Sequence, residues 1–419
     1  MRLGADASLD DRVRPILDRR LLRDADQPLA LALSGGGDSL ALALVAHEWA
    51  AYAGRSLLIL TVDHRLQPQS AAWTMACAAI AKRLGARFQA LHWEGAKPTT
   101  GLAAAAREAR HALLAEAARK AGARVILMGH TADDVLEAQA MRAAGSTTPD
   151  PKAWAPSPAW PEGRGLFLLR PLLGVRRAEL RDWLTARGEA WIDDPANANP
   201  ASARVRARET AAEAPDPQFG EAAPILLAEE CRFDPGGGVH LPRQAVRAAT
   251  LETAQAFIGI AAVCVGGKDR RPATDKLRRT AEILRGSSAI TTTLAGARLE
   301  ASEDEISILR EPGEAKRGGL ATLYLTPGHP VIWDGRFELT ASRPGLYVDR
   351  LEGFAPKLTK GEQNALQGLN PKARLSLPVI VDDKAYASPV LASVKGVALR
   401  PLVEERLWAA CGLIEREPF

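Results

Sequence analysis

The run LALALSGGGDSLALALVAHEWA, residues 29–50, passes from a short apolar stretch through three consecutive glycines into a longer apolar one. Read as strand, turn and helix, it sets several backbone N–H groups at a helix N-terminus, uncrowded by side chains, where peptide dipoles favour an anion. Phosphate is the natural guest of such a turn. The commonest ATP loop, GxxxxGK followed by Ser or Thr, needs a lysine that is missing here, and GGGDSL lacks the last glycine of the dinucleotide fingerprint GxGxxG. Taken alone, the stretch is equally well explained as a strand-to-helix turn capped by Asp38 or Ser39.

Outward from this turn, short apolar runs alternate with longer alanine-rich ones, the pattern of an α/β domain with a Rossmann-like parallel sheet and helices on both faces. Strands are expected near Leu29–Leu33, Leu57–Val62, Arg87–Trp93 and Arg124–Met128, with helices near Asp38–Tyr52, Ser70–Leu84 and Leu102–Ala121. Right-handed crossovers bring the loops after the strands to one sheet edge. Ser34 to Ser39, then Asp63 and His64, then His130, Asp133 and Asp134 should therefore converge. Residues 145–164, rich in Pro and small residues, read as a long loop. A strand-like GLFLLRPLL and a helix near Val175–Arg187 follow, and the Ala, Pro and acid-rich stretch at 209–224 marks the main boundary. Beyond it, about 244–287 looks helical, and 289–310 and 331–400 read as short strands, a smaller α+β region.

Composition narrows the class. A chain of 419 residues is too long for one core, and 47% hydrophobic with 25% charged residues is ordinary globular material. The formal charge of +4 is too mild to demand a polyanion by itself. Cys77, Cys231, Cys264 and Cys411 form no CxxC pair, which argues against a zinc ribbon, a cysteine-held cluster or a disulfide framework. The N-terminus mixes acids with arginines and has no long apolar run, so the expectation is a cytoplasmic protein with no membrane partner.

The stretch Ser34-Gly35-Gly36-Gly37-Asp38-Ser39 resembles the SGGxDS signature of the PP-loop ATP pyrophosphatase family. Further matches follow in order: VDHRL at 62–66, GLAAAAREARHALL at 101–114, GHTADD at 129–134, RPLLGVRRAEL at 170–180 and WIDDPANANP at 191–200. They cover the first half strongly and the rest loosely. The resemblance is to the branch that modifies tRNA. It implies that ATP with Mg2+ adenylylates the 2-oxo group of the wobble cytidine of an isoleucine tRNA and releases pyrophosphate, after which the amine of L-lysine displaces AMP. It also implies a PP-loop catalytic domain at 1–210, a mostly helical tRNA-binding or linking region at 211–288 and a β-rich region at 289–419, and it allows a homodimer.

On this resemblance the amides of Ser34, Gly35, Gly36, Gly37, Asp38 and Ser39 hold the phosphates that leave together, with Asp63, His64 and His130 completing the nucleotide site. Asp38, Asp133 and Asp134 take the reaction itself, Asp38 and Asp134 as magnesium ligands. For each of these acids the alternative is a helix cap or a residue complementing a helix dipole, and for His64 and His130 a structural histidine. Arg107 and Arg110, three apart on one helix, can face one anion; Arg107 is assigned to the ATP phosphate or activated nucleotide and Arg110 to an exposed ion pair. Arginines between 164 and 208, among them Arg164, Arg170, Arg176, Arg177, Arg204, Arg206 and Arg208, suit a nucleic-acid face together with Trp183 and Trp191. Lys268, Arg270, Arg271, Lys276, Arg278 and Arg279 form a second basic cluster. Departures from the family pattern are His111 in place of Tyr, Ala196 in place of Ser, Val205 in place of Asn, and AAGSTTPDPKAW after Arg142. Rival readings are a tRNA thiolase or a nitrogen-transferring synthetase, for which neither cysteine pairs nor an amidotransferase domain is evident, and a non-catalytic nucleotide-binding module.

Overall fold

The computed structural model describes residues 8–146, 151–193, 207, 224–383 and 385–418. The expectations placed on Ala196, Val205, Arg204, Arg206, Arg208 and the boundary at 209–223 lie outside the described residues. Two compact units emerge, one of residues 1–220 with 414–419 and one of residues 221–413.

The first unit runs α1 (Leu9–Arg20), β1 (Leu29–Ala32), α2 (Gly37–Tyr52), β2 (Leu57–Asp63), α3 (Ser70–Arg83), β3 (Arg87–His92), α4 (Leu102–Lys120), β4 (Val125–Met128), α5 (Ala132–Ala143), β5 (Trp154–Pro156), β6 (Phe167–Leu169) and α6 (Arg177–Ala186). The sheet order is β3-β2-β1-β4-β6-β5. All pairings are parallel except that of β5, which lies antiparallel on β6 with Trp154 opposite Leu169. That edge strand corrects the reading of 145–164 as loop throughout. Three residues flanked by prolines are too short to show a strand period, and β5 exists because the edge of β6 offers it hydrogen bonds.

The central strands are apolar at consecutive positions because both sheet faces are covered. Ala30, Leu58, Leu60, Ile126, Met128 and Leu168 pack in one core with Leu114, Ala115 and Ala118 of α4. The alternate residues Leu29, Leu31, Ile59, Val125 and Leu127 are fully buried on the opposite face. Small alanines on α4 let the helix approach the sheet closely, which the alanine-rich sequence foreshadows.

Residues 414–418 return to this unit. Glu417 is buried, and its carboxylate accepts from both terminal nitrogens of buried Arg55 at 2.9 and 3.0 Å and from the Leu22 N–H at 3.0 Å. The Trp154 indole donates to the Ile414 carbonyl at 2.6 Å.

In the second unit an antiparallel sheet of order β7-β8-β11-β10-β9, from β7 (Arg232–Phe233) and β8 (Val239–Pro242) to β9 (Ile290–Leu294), β10 (Ala297–Ala301) and β11 (Glu305–Arg310), packs with the helix Leu251–Val265. This helix is apolar all round and buried on most of its surface, as expected for a core helix. Val239, Phe257, Leu284, Leu299 and Leu407 share that core, so helices and strands from both sides of residue 288 are packed together. A four-stranded and a three-stranded antiparallel sheet complete the unit. All four cysteines are free thiols. Among the described residues, no helix is long and apolar enough to cross a membrane.

Candidate active site

The parallel register sends the loops after β1, β2 and β4 to one edge, where a cavity of about 530 Å³ opens. It is lined by Ser34, Gly36, Gly37, Asp38 and Ser39 after β1, by Asp63 and His64 at the end of β2, and by His130 and Asp134 after β4. Arg110 of α4, Trp73 of α3 and Arg177 and Arg181 of α6 complete its polar and aromatic wall.

The glycine turn is held from within. Ser39 Oγ donates to the Gly36 carbonyl at 2.9 Å, accepts from the Ser34 N–H at 3.2 Å and lies 3.0 Å from Ser34 Oγ. Gly35 adopts φ +84°, and a Cβ there would lie 2.5 Å from Ile192 Cδ1. Its carbonyl accepts from the Ile192 N–H at 2.9 Å, so Gly35 supports the turn from behind and does not line the cavity. The chain turns into α2 at Gly36, and the first amides of α2 have no intrahelical acceptor and suit an anion.

Gly129, where β4 ends, makes this placement possible. A Cβ there would meet Ser39 Cα at 2.9 Å and Ser39 N at 3.0 Å, both backbone atoms of the first turn of α2. Gly129→Ala is therefore expected to push the glycine turn away from β4, cost about 1–3 kcal/mol of stability and weaken ATP binding. Urea unfolding and nucleotide titration measure both. Unchanged affinity and stability would show that the turn can shift freely.

Four acidic side chains surround Arg177 at the start of α6. Its Nε lies 3.0 Å from Asp38 Oδ2, its Nη1 3.2 Å from Glu137 Oε1 and its Nη2 3.7 Å from Asp134 Oδ2, while its backbone N–H donates to Asp133 Oδ2 at 2.7 Å. Burial opposes the guanidinium charge, but Asp38, Asp134 and Glu137 outweigh it and hold the group firmly protonated. Burial also raises the Asp38 carboxyl above the usual range; Arg177 opposes this rise and the Asp134 charge adds to it.

The acids differ in their duties. Asp134 Oδ2 accepts from the Thr131 N–H at 2.8 Å and from Thr131 Oγ1 at 3.0 Å, so it caps α5 and also lines the cavity. The capping and cavity readings of Asp134 thus coexist. Asp133 turns to the backbone of Arg177 and toward Arg176, 3.9 Å away, and does not line the cavity. Asp63 is buried, with Oδ1 accepting from the Arg65 N–H at 2.7 Å.

Arg107 and Arg110 exchange their expected places. Arg110 lines the cavity, whereas Arg107 is exposed and outside its lining. Three residues turn an α-helix through about 300°, leaving the two side chains offset by roughly a sixth of a turn, enough to separate wall from surface. Arg177, expected on a nucleic-acid face, lines the cavity instead, and Glu137, named in no sequence motif, anchors it. Glu137 follows Asp134 by three positions on the same helix face, a spacing that could have pointed to it. Arg177 was hidden in a run of arginines suited to RNA.

His64 lines the cavity edge-on to Trp93 with ring centroids 5.9 Å apart. Burial, then Arg110, lower its basicity. His111, in the tyrosine position, is 5% exposed, and burial followed by Arg110, Arg107, Arg170 and His130 pushes its pKa to about 2. An unfolded histidine titrates near ~6.5, so on acidification the unfolded chain binds a proton that the folded one refuses. Stability should fall by about 1.4 kcal/mol per pH unit below that value. His111→Phe is expected to remove this slope from urea unfolding compared at pH 7.5 and 5.5; an identical slope would mean His111 protonates in the fold.

A PP-loop domain family matches residues 9–214. The chain is 48% identical to tRNA(Ile)-lysidine synthase from Caulobacter vibrioides, over 97% of this chain and 98% of that one. The enzyme of the same name from Hyphomonas neptunium is 36% identical over 77% of this chain and 92% of its own. Among solved structures, the U34-tRNA thiolase NcsA from Methanococcus maripaludis aligns with a TM-score of 0.39 and 17% identity, over 48% of this chain and 71% of that one.

Proposed function

The chain belongs to the tRNA(Ile)-lysidine synthase family of ATP-using PP-loop enzymes, and from that premise we propose how its first unit ligates lysine to the wobble cytidine of tRNA(Ile). The observation that carries the reading is the convergence of the glycine turn, Asp38, Asp134 and His130 on one cavity at the edge of the parallel sheet. The turn's amides take the β and γ phosphates, placing donors where the pyrophosphate charge develops. The 2-oxo oxygen of cytidine attacks the α-phosphorus, the bond to the bridging oxygen breaks, and pyrophosphate leaves. The amine of L-lysine then attacks C2 of the activated base and AMP departs. No side-chain nucleophile is needed.

Magnesium fits the donor set. Asp38 and Asp134 present two carboxylates to the cavity, and hard cations of this kind are held by one or two carboxylates plus substrate phosphates. Bound there with ATP, it would neutralise developing phosphate charge. Among the described residues no group of three or more His, Cys, Asp or Glu could hold a metal by protein ligands alone. Arg110 takes over the phosphate role first given to Arg107, because it reaches the cavity wall. Asp38 and Asp134, which line the cavity, suit the lysine amine, while buried Glu137 and the Asp133 contact to the Arg177 backbone hold Arg177 in place.

In the second unit, Lys268, Arg270, Arg271 and Lys276 line a concavity of about 340 Å³ at the start of the helix Thr274–Arg285. We assign it to tRNA phosphates. The assignment of 1–210 to catalysis and of 211–288 and 289–419 to tRNA, the cytoplasmic location and the homodimer belong to the same proposal. Protein incubated with ATP, Mg2+, labelled L-lysine and tRNA(Ile) is expected to incorporate lysine and release AMP and pyrophosphate in equal amounts. Nucleotide binding without incorporation would reject the reading.

A further inference from the structure

Arg170 follows β6 directly and is 6% exposed. Its Nη1 donates to the Lys152 carbonyl at 2.8 Å, and its Nε donates to His130 Nδ1 at 3.2 Å. A guanidinium has donors and no acceptor. The lone pair in this hydrogen bond must therefore belong to His130, so Nδ1 carries no proton and the ring proton sits on Nε2. His130 at the same time lines the cavity after β4.

From this pairing we propose that Arg170 is a positioning residue that fixes His130 as a neutral imidazole protonated on Nε2, a hydrogen-bond donor for nucleotide phosphate and not a base. The proposal rests on the reading that the cavity takes ATP, but the tautomer itself does not. The choice has a chemical consequence. An imidazole with a free lone pair facing the cavity would repel phosphate oxygens, whereas an Nε2–H donates to them, and which one is present is decided by the partner of the other nitrogen.

Arg107 and Arg110 of α4 act electrostatically on both Arg170 and His111, His130 acts on His111, and the Asp134 carboxylate of α5 acts on Arg170. His111 supplies no proton, because its burial beside these cations keeps it neutral, and its buried Nε2 has no hydrogen-bond partner.

The test uses the full chain labelled with 15N-histidine, with His130→Gln identifying the His130 signals by their loss. In the unliganded protein, Nδ1 is expected to show an unprotonated nitrogen and Nε2 a protonated one, without titration from pH 8 to 6. Arg170→Gln should mix the tautomers and let His130 titrate near ~6.5. It should also lower lysine transfer by about 10-fold or more and add a one-proton acidic limb to its pH profile. Arg170→Lys, whose ammonium is also donor-only, should restore the unprotonated Nδ1 and most of the activity. A proton on Nδ1 of the wild-type protein, ordinary titration of its ring, or an unchanged His130 spectrum in Arg170→Gln would overturn the proposal. If Arg170→Gln does not fold, Arg170→Lys decides: a protonated Nδ1 there has the same meaning. The spectra need neither ATP nor tRNA, so a failure of lysine transfer leaves this result intact and the two readings can fail separately.

Discussion

Asp38→Asn is expected to abolish most lysine transfer, by about 10²- to 10⁴-fold, while leaving the protein folded and at least as resistant to urea. The two halves of this expectation have one cause. Asp38 is a partly buried carboxylate whose desolvation raises its pKa; Arg177 only partly offsets that, and Asp134 is a like charge beside it. Such a group is kept charged at a cost to the fold. Removing the charge relieves repulsion, and Arg177 retains Asp134 and Glu137 as partners. Single-turnover transfer with labelled lysine measures the loss, and urea unfolding the stability. Full activity would remove Asp38 from the chemistry, and a large drop in stability would make it a structural acid.

Arg177→Met should do the reverse. With the cation gone, Asp38, Asp134 and Glu137 face one another in a site where the Glu137 side chain is 1% exposed. Breaking a buried charge set from one side costs about 3–5 kcal/mol. The pH dependence identifies the cause. Burial and Asp134 already hold the Asp38 carboxyl above its usual range, and losing Arg177 removes the charge that opposes this rise, so ionised Asp38 costs the fold more at neutral pH. As pH falls from 8 toward 5 Asp38 protonates in the folded state, and the variant should recover stability. Arg177→Lys should restore the charge but not the three-way fork, because an ammonium cannot reach the acids through separate nitrogens. Urea unfolding across this pH range is the measurement. An Arg177→Met loss that does not shrink on acidification would point to packing.

Much of the first unit was legible because its signals are local. Apolar runs of strand length, alanine-rich helices and the SGGGDS turn each reflect neighbours within a few residues, and the rule that parallel strands bring their following loops to one edge carried Asp38, Asp63, His64, His130 and Asp134 into a common cavity. The ordered motifs then named the chemistry. What escaped was set by partners distant in sequence. β5 needs the edge of β6, and Arg110 rather than Arg107 reaches the cavity because the rotation of α4 is set by packing against the sheet.

Residue type and short spacing were enough to read the α/β class, the glycine turn at the sheet edge and the family. The tertiary structure alone decided which charges meet. Asp38 finds Arg177 across 139 positions and Arg55 finds Glu417 across 362, pairings that no local pattern encodes. The SGGGDS turn is therefore readable as an anion site from its glycines. Asp38 and its counter-ion Arg177 come together only once the sheet has brought α2, α5 and α6 to the same edge.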